Sequence, residues 1–168
     1  PFLYEIEDVY DTIVHVDPMI DVRWGQSPAP YNAYCPLVGA IRTLAGCTPI
    51  AVAQTMTHFE HPKSLYWNLD GTATTIPLNW AEIKKHKGNM LLNIAAEYSD
   101  NQASHEAIGK LVRKLGHIMN SQYGVNGTST YFDQVRPALQ SFGYTVSEIQ
   151  TFPSSKKFDG SGIWLISG

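Results

Sequence analysis

The most regular pattern along the chain is an apolar stripe at three- and four-residue spacing: Ile108, Leu111, Val112, Leu115 and Ile118. It predicts a helix over 103–120, with Gly116 as its weak point. Residues 81–98 also read as helical. Between Cys47 and Phe59 the apolar positions Cys47, Ile50, Ala51, Met56 and Phe59 fall at mixed helical spacings, and Val52 and Ala53 widen the stripe. A helix apolar around most of its girth is expected to be buried. Gly46 precedes this one, Pro49 falls in its first turn, where a missing N–H costs nothing, and Pro62 closes it. Phe132, Val135, Leu139 and Phe142 predict a further helix over 131–142, with Pro137 against the pattern and Gly143 as its stop.

Strand signals are shorter. Ile13, Val14 and Val16 suggest a strand or extended arm that ends at Pro18. Residues 144–150 alternate as a strand does, and Ile163–Ile166 begin another. Residues 24–36 form a Gly/Pro-rich loop with aromatic anchors, 63–80 read as loops and short strands, 121–130 as a polar Gly/Ser/Thr loop, and 151–161 as a loop. Helices first and strands last point to an α+β fold.

Composition narrows the function classes. A chain of 168 residues suits one domain, and 43% hydrophobic with 16% charged residues is globular rather than disordered sequence. A formal charge of −3 gives no clustered cation surface for phosphates, so no nucleic-acid partner is expected. Apolar runs such as Ile50–Ala53 fall far short of the ~20 residues that span a bilayer, so no membrane span is expected. No signal peptide is legible, and the start at Pro1 rather than Met leads us to expect that upstream residues were removed. The two cysteines, Cys35 and Cys47, could form a disulfide or be two buried thiols; a disulfide-stapled secreted domain would carry more.

Chemistry concentrates at Cys47. Thiols attack as thiolates, and a helix N-terminus or a neighbouring imidazolium favours that form. An isolated cysteine before an apolar helix is more often a buried structural residue, so the surrounding motif decides. W-G-Q-S-P-A-P-Y-N-A-Y-C-P (Trp24 to Pro36) followed by A-G-C-T-P-I-A-V-A-Q-T-M-T-H-F-E-H-P (Ala45 to Pro62) resembles the streptopain family of bacterial cysteine peptidases. That family shows W-G-Q-x-x-P-Y-N, then T-G-C-V-A-T-A-x-A-Q-I-M and a later Pro. The spacing from Cys47 through Gln54 and Met56 to Pro62 matches without gaps. L-G-H-I-M-N-S-Q-Y-G (Leu115 to Gly124), V-R-P-A-L-Q-S-F-G-Y (Val135 to Tyr144) and the closing I-W-L-I-S-G are similar to later blocks of the family. Thr48, Pro49 and Ile50 depart from the usual Val-Ala-Thr, and Phe59 replaces a non-catalytic histidine, with His58 and His61 beside it.

The resemblance implies a papain-like α+β fold: a helical half bearing Cys47, and the beginning of an antiparallel sheet half. It implies that Cys47 is the nucleophile and that the Gln26 side-chain amide helps form the oxyanion hole with the Cys47 backbone N–H. It implies that the Asn126–Tyr131 loop, with Ser129 and Thr130, walls the subsite for the residue preceding the scissile bond. Residues 22–168 would be a C-terminally incomplete peptidase domain, and 1–21 an N-terminal arm or propeptide remnant. The family's histidine, in a G-H-A-x-V-x-D-G strand, has no counterpart here. His117 lies on a predicted helix, ahead of the Tyr-Gly loop. His58 and His61 lie roughly 16–21 Å from Cys47 along its helix, too far for proton transfer. His15, His86 and His105 carry no motif, and no histidine pair has zinc spacing. The expectation is therefore a streptopain-like endopeptidase that needs no cofactor, with its histidine supplied beyond Gly168, even by a second chain. Its partners would be a protein or peptide substrate and an inhibitory propeptide, and it would be secreted or held at the bacterial cell surface. The competing readings are a truncated pseudoenzyme acting as a protein-binding module and a structural domain sharing only the fold. Retention of both Gln26 and Cys47 argues against the last. Cys35 is expected to be a buried residue near the cleft, the alternative being a redox partner that caps Cys47.

Overall fold

A computed structural model describes residues 12–15, 17–88, 101–147 and 163–166. The chain divides into two units, one drawn from its two ends and one comprising Ile20–Val146. In the first, strand β1 (Thr12–His15) pairs antiparallel with β6 (Ile163–Ile166), Thr12 opposite Ile166 and His15 opposite Ile163. Both strands coincide with the short apolar runs at either end of the sequence.

The larger unit is built on two helices in contact, α1 (Cys47–Phe59) and α3 (Gln102–Ile118). From α1, Ile50, Ala53 and Met56 enter the core; from α3, Ile108, Leu111, Val112 and Leu115 do. Each fully buried side chain of this size contributes roughly 1.5–3 kcal/mol, so these two stripes hold the unit together. The Asn101 side chain caps α3 by accepting from the Ser104 N–H at 3.2 Å. Gly116 is a point of close approach rather than of weakness. A Cβ there would lie 2.1 Å from the Tyr123 hydroxyl.

Helix α1 is buried on one side only. Pro49, Ile50, Val52, Ala53, Met56 and Thr57 are buried, whereas Cys47, Ala51, His58 and Phe59 are exposed. The expected all-round burial fails because Ala51 and Phe59 lie off the face that meets α3. The helix also stops before Pro62, at Glu60, whose φ of 49° takes the chain into the left-handed region.

Two hairpins follow the sequence closely or not at all. Strands β4 (Ser64–Trp67) and β5 (Thr74–Pro77) pair antiparallel, with Leu65 and Trp67 buried and Ser64 and Tyr66 exposed. Strands β2 (Leu37–Val38) and β3 (Ile41–Arg42) make a small hairpin that no periodicity announced, and Leu37, Val38 and Ile41 are exposed on it.

Of the helix expected over 81–98, the described residues 81–88 give only the end of a single turn, α2 (Trp80–Ile83), capped by Asn79. Trp80 and Ile83 are buried, and the chain then turns through Lys84 and Lys85 so that His86 also reaches the interior; residues 89–98 lie outside the described residues. The 131–142 helix opens with a 3₁₀ turn at Phe132–Gln134 and continues as α4 (Val135–Ser141). Pro137 falls in the first turn of α4, where its lack of an N–H costs no helical bond. Gly143, at φ 86°, donates to the Gln140 carbonyl, and Tyr144 donates to that of Leu139. That closing motif uses Tyr144, so 144–147 form no strand; residues 148–150 lie outside the described residues, as does the 151–161 loop. Among the described residues no helix is long and apolar enough to cross a membrane.

Candidate active site

Cys47 is the first residue of α1 and its free thiol is exposed. The residue before it, Gly46, sits at φ 93° and ψ 139° and accepts the first helical bond from the Ile50 N–H at 3.3 Å. No side chain caps this helix end, and its first turn carries no acid. The N–H groups of the first turn thus meet neither a side-chain cap nor a first-turn acid, and Cys47 sits at the positive end of the helix.

The segment leading into Cys47 is clamped from two sides. On one, the Ala45 N–H donates to the Gln26 carbonyl at 3.0 Å. Gln26 in turn follows a fixed tryptophan. Trp24 is buried and stacks on Tyr31, donates its backbone N–H to Gln54 Oε1 at 2.8 Å, and donates its indole N–H to the His86 carbonyl at 2.6 Å. Gln54 lies two turns along the Cys47 helix, so the motif's tryptophan and its second glutamine join the Gln26 loop to α1.

On the other side, the Leu44 N–H donates to the Gly124 carbonyl at 3.1 Å, and the Thr128 hydroxyl donates to the Leu44 carbonyl at 2.7 Å. The 121–130 loop is closed on itself: Gln122 and Ser129 exchange backbone bonds of 2.9 and 3.2 Å, and the Ser121 and Thr130 hydroxyls lie 2.7 Å apart. Ser129 is exposed and Thr130 partly so. The fold thus gathers the segments bearing Gln26, Cys47, Ser129 and Thr130 around one short neck, residues 44–46. Thr128 is the residue at this junction that the sequence did not single out.

Several of the histidines with described side chains are engaged away from this neck. His61 Nε2 lies 2.8 Å from the Phe142 carbonyl, and its ring packs edge-on against Tyr144. His58 packs against Phe59 at the far end of α1. His117 is exposed on the last turn of α3, held below the usual imidazole range by partial burial and by Arg113 and Lys114. His86 is fully buried, its Nε2 2.7 Å from Ser104 Oγ. Because that hydroxyl donates to the Asn101 carbonyl at 2.8 Å, His86 Nε2 carries the proton and donates to Ser104. Burial, with His105 against its ring, pushes His86 down to about 4. Cys35 is a free, fully buried thiol that burial pushes up to about 11, the state of an inert core residue. Among the described residues no group of three His, Cys, Asp or Glu side chains could hold a metal ion.

Comparison with known proteins follows the same residues. The family model of the peptidase C10 family matches residues 24–161. No curated protein matches the chain. Among solved structures, the active wild-type interpain A cysteine protease of Prevotella intermedia superposes with a TM-score of 0.55 at 24% identity, over 77% of this chain and 55% of that one. A prointerpain A fragment from the same organism superposes with a TM-score of 0.52 at 21% identity, over 77% of this chain and 46% of that one. The chain spans about half the length of these solved structures, and at such identities the likeness is one of fold.

Proposed function

Because this chain belongs to the peptidase C10 family and has its papain-like α+β fold, we propose that it is the nucleophile-bearing part of a streptopain-like cysteine endopeptidase. The observation that carries the reading is the exposed thiol of Cys47 at an uncapped helix start, with the Gln26 loop bonded two residues before it. In this reading the Cys47 thiolate attacks the scissile carbonyl carbon. The oxyanion that forms takes hydrogen bonds from the Cys47 N–H and the Gln26 side-chain amide. Collapse breaks the C–N bond, the leaving amine takes a proton from a histidine, and a thioester remains on Cys47 until water hydrolyses it. The histidine is supplied by sequence beyond Gly168. His58, His61 and His86 are occupied elsewhere in the fold, and His58 lies roughly 16 Å along α1 from the thiol. Ser129 and Thr130 line the wall for the residue preceding the scissile bond. The substrate is a protein or peptide, an inhibitory propeptide is a natural partner, and the setting is the bacterial exterior or cell surface. The proenzyme form of interpain A supports the propeptide.

Gln26→Ala should lower the kcat of the active peptidase ~10²–10³-fold, about 2.7–4 kcal/mol, with KM little changed. Steady-state kinetics on a peptide substrate checks this, and an unchanged kcat removes Gln26 from the oxyanion hole. The 168-residue chain alone should show little or no turnover. Cys47-dependent hydrolysis by it, with no other polypeptide present, would overturn the assignment of the base.

A further inference from the structure

Thr128 lies in a Gly/Ser/Thr loop, yet it is 8% exposed and its side chain holds three pieces of backbone at once. Its hydroxyl donates to the Leu44 carbonyl at 2.7 Å and accepts from the Gly124 N–H at 3.3 Å. Its methyl lies against Gly46, close enough that a Cβ on that glycine would come within 2.9 Å of it. The Leu44 N–H to Gly124 carbonyl bond, 3.1 Å, completes the junction. All these contacts fall on the neck before Cys47 or on the loop bearing Ser129 and Thr130.

We propose that Thr128 is a positioning residue: it locks the 124–130 loop onto the neck and thereby fixes the direction of the Cys47 backbone N–H. The inference rests on the reading of Cys47 as nucleophile and deepens it. The Gly46 carbonyl of the peptide plane that carries this N–H is held by the Ile50 N–H, and the Thr128 hydroxyl fixes the stretch of backbone that enters it by bonding Leu44 and Gly124. An oxyanion donor is effective only when it is already aimed, and a misplacement of about 1 Å costs roughly 10²-fold in rate. Thr128 acts through Leu44 and Gly124 and does not touch the substrate.

The test uses the 168-residue chain with Thr128→Val, which keeps the shape and removes the hydroxyl, and Thr128→Ser, which keeps the hydroxyl. Amide exchange is read at Leu44 and Ala45, whose N–H groups are bonded to the Gly124 and Gln26 carbonyls, and, as a control, along α3. Alkylation of Cys47 by iodoacetamide at pH 6 is read beside it. Thr128→Val should speed exchange at the neck at least tenfold with α3 unchanged, and slow alkylation at least threefold; Thr128→Ser should stay within twofold of the parent in both. Neck exchange and alkylation within twofold of the parent in Thr128→Val would overturn the proposal. So would loosening of α3 and neck alike in both variants, the result of a merely structural residue. If the neck responds as expected but a peptide thioester never acylates Cys47, the clamp stands and the nucleophile reading falls.

Discussion

Gly46→Ala should destabilise the chain by about 4 kcal/mol, the sum of about 1–3 kcal/mol for a side chain in a glycine-only backbone region and about 1–3 kcal/mol for overpacking. At φ 93° and ψ 139° an L-residue is strained whatever the space around it. There is also no space: the new Cβ would meet Thr128 Cγ2 at 2.9 Å and Pro49 Cδ at 3.2 Å. The two contributions separate by a second substitution. Thr128→Ser removes the methyl, so in the Gly46→Ala background it should recover about 1–2 kcal/mol of the overpacking and none of the backbone strain. Urea unfolding of the four proteins checks the cycle. A loss under about 1 kcal/mol for Gly46→Ala would mean that the neck is not held as described.

Acid should weaken the fold through His86. Its folded-state value, about 4, lies below the ordinary 6.5 of an exposed imidazole. The unfolded chain therefore binds the extra proton first. The stability that neutral His86 contributes is fully present above about pH 6.5 and is lost as the pH falls to about 4, a total of about 3 kcal/mol. Among the described residues, Ser104, His105 and Glu82 bear on this ring. The hydroxyl accepts from Nε2, the second imidazole and burial oppose the charge, and the carboxylate favours it only weakly. Asp21, Glu60 and Asp70 are also held below the usual carboxylate range, by Lys87, Lys84 and Trp67 respectively, but they are largely exposed and titrate lower. His86→Gln, which can still donate to Ser104, should flatten the dependence between pH 6.5 and 4. Urea midpoints across that range check the slope, and an unchanged slope in the variant would clear His86 of it. Since the His86 carbonyl holds the Trp24 indole, the same loss loosens the loop that carries Gln26.

What the sequence made legible were the features whose cause is local. Gly46 and Pro49 around Cys47 marked the start of α1 because one suits a helix boundary and the other a first turn, whatever the tertiary context. The α3 stripe was legible because four core residues repeat on one face. The peptidase motif was legible for a different reason: its residue types recur at fixed spacing, although the bonds that join them, from Trp24 to Gln54 and from Ala45 to Gln26, are long-range. Features set by distant partners stayed hidden. The length of α2 depends on where Trp80, Ile83 and His86 find interior positions, and His86 is fastened to Trp24, far away in sequence. Tyr144 reads as the start of a strand, yet its N–H is taken by the end of α4. β1 and β6 each carry a short apolar run, but their pairing joins opposite ends of the chain. Thr128 carries no periodicity or motif, and only the approach of its loop to Leu44 and Gly46 gives it a role.

The central claim is that Cys47, and not Cys35, is an activated nucleophile. Iodoacetamide at pH 6, followed by intact mass and peptide mapping of the native chain, tests it most directly. The account predicts a single adduct on Cys47, formed faster than on free cysteine, while the buried Cys35 stays unmodified. A Cys47 that reacts no faster than free cysteine, or a Cys35 that reacts alongside it, would contradict it.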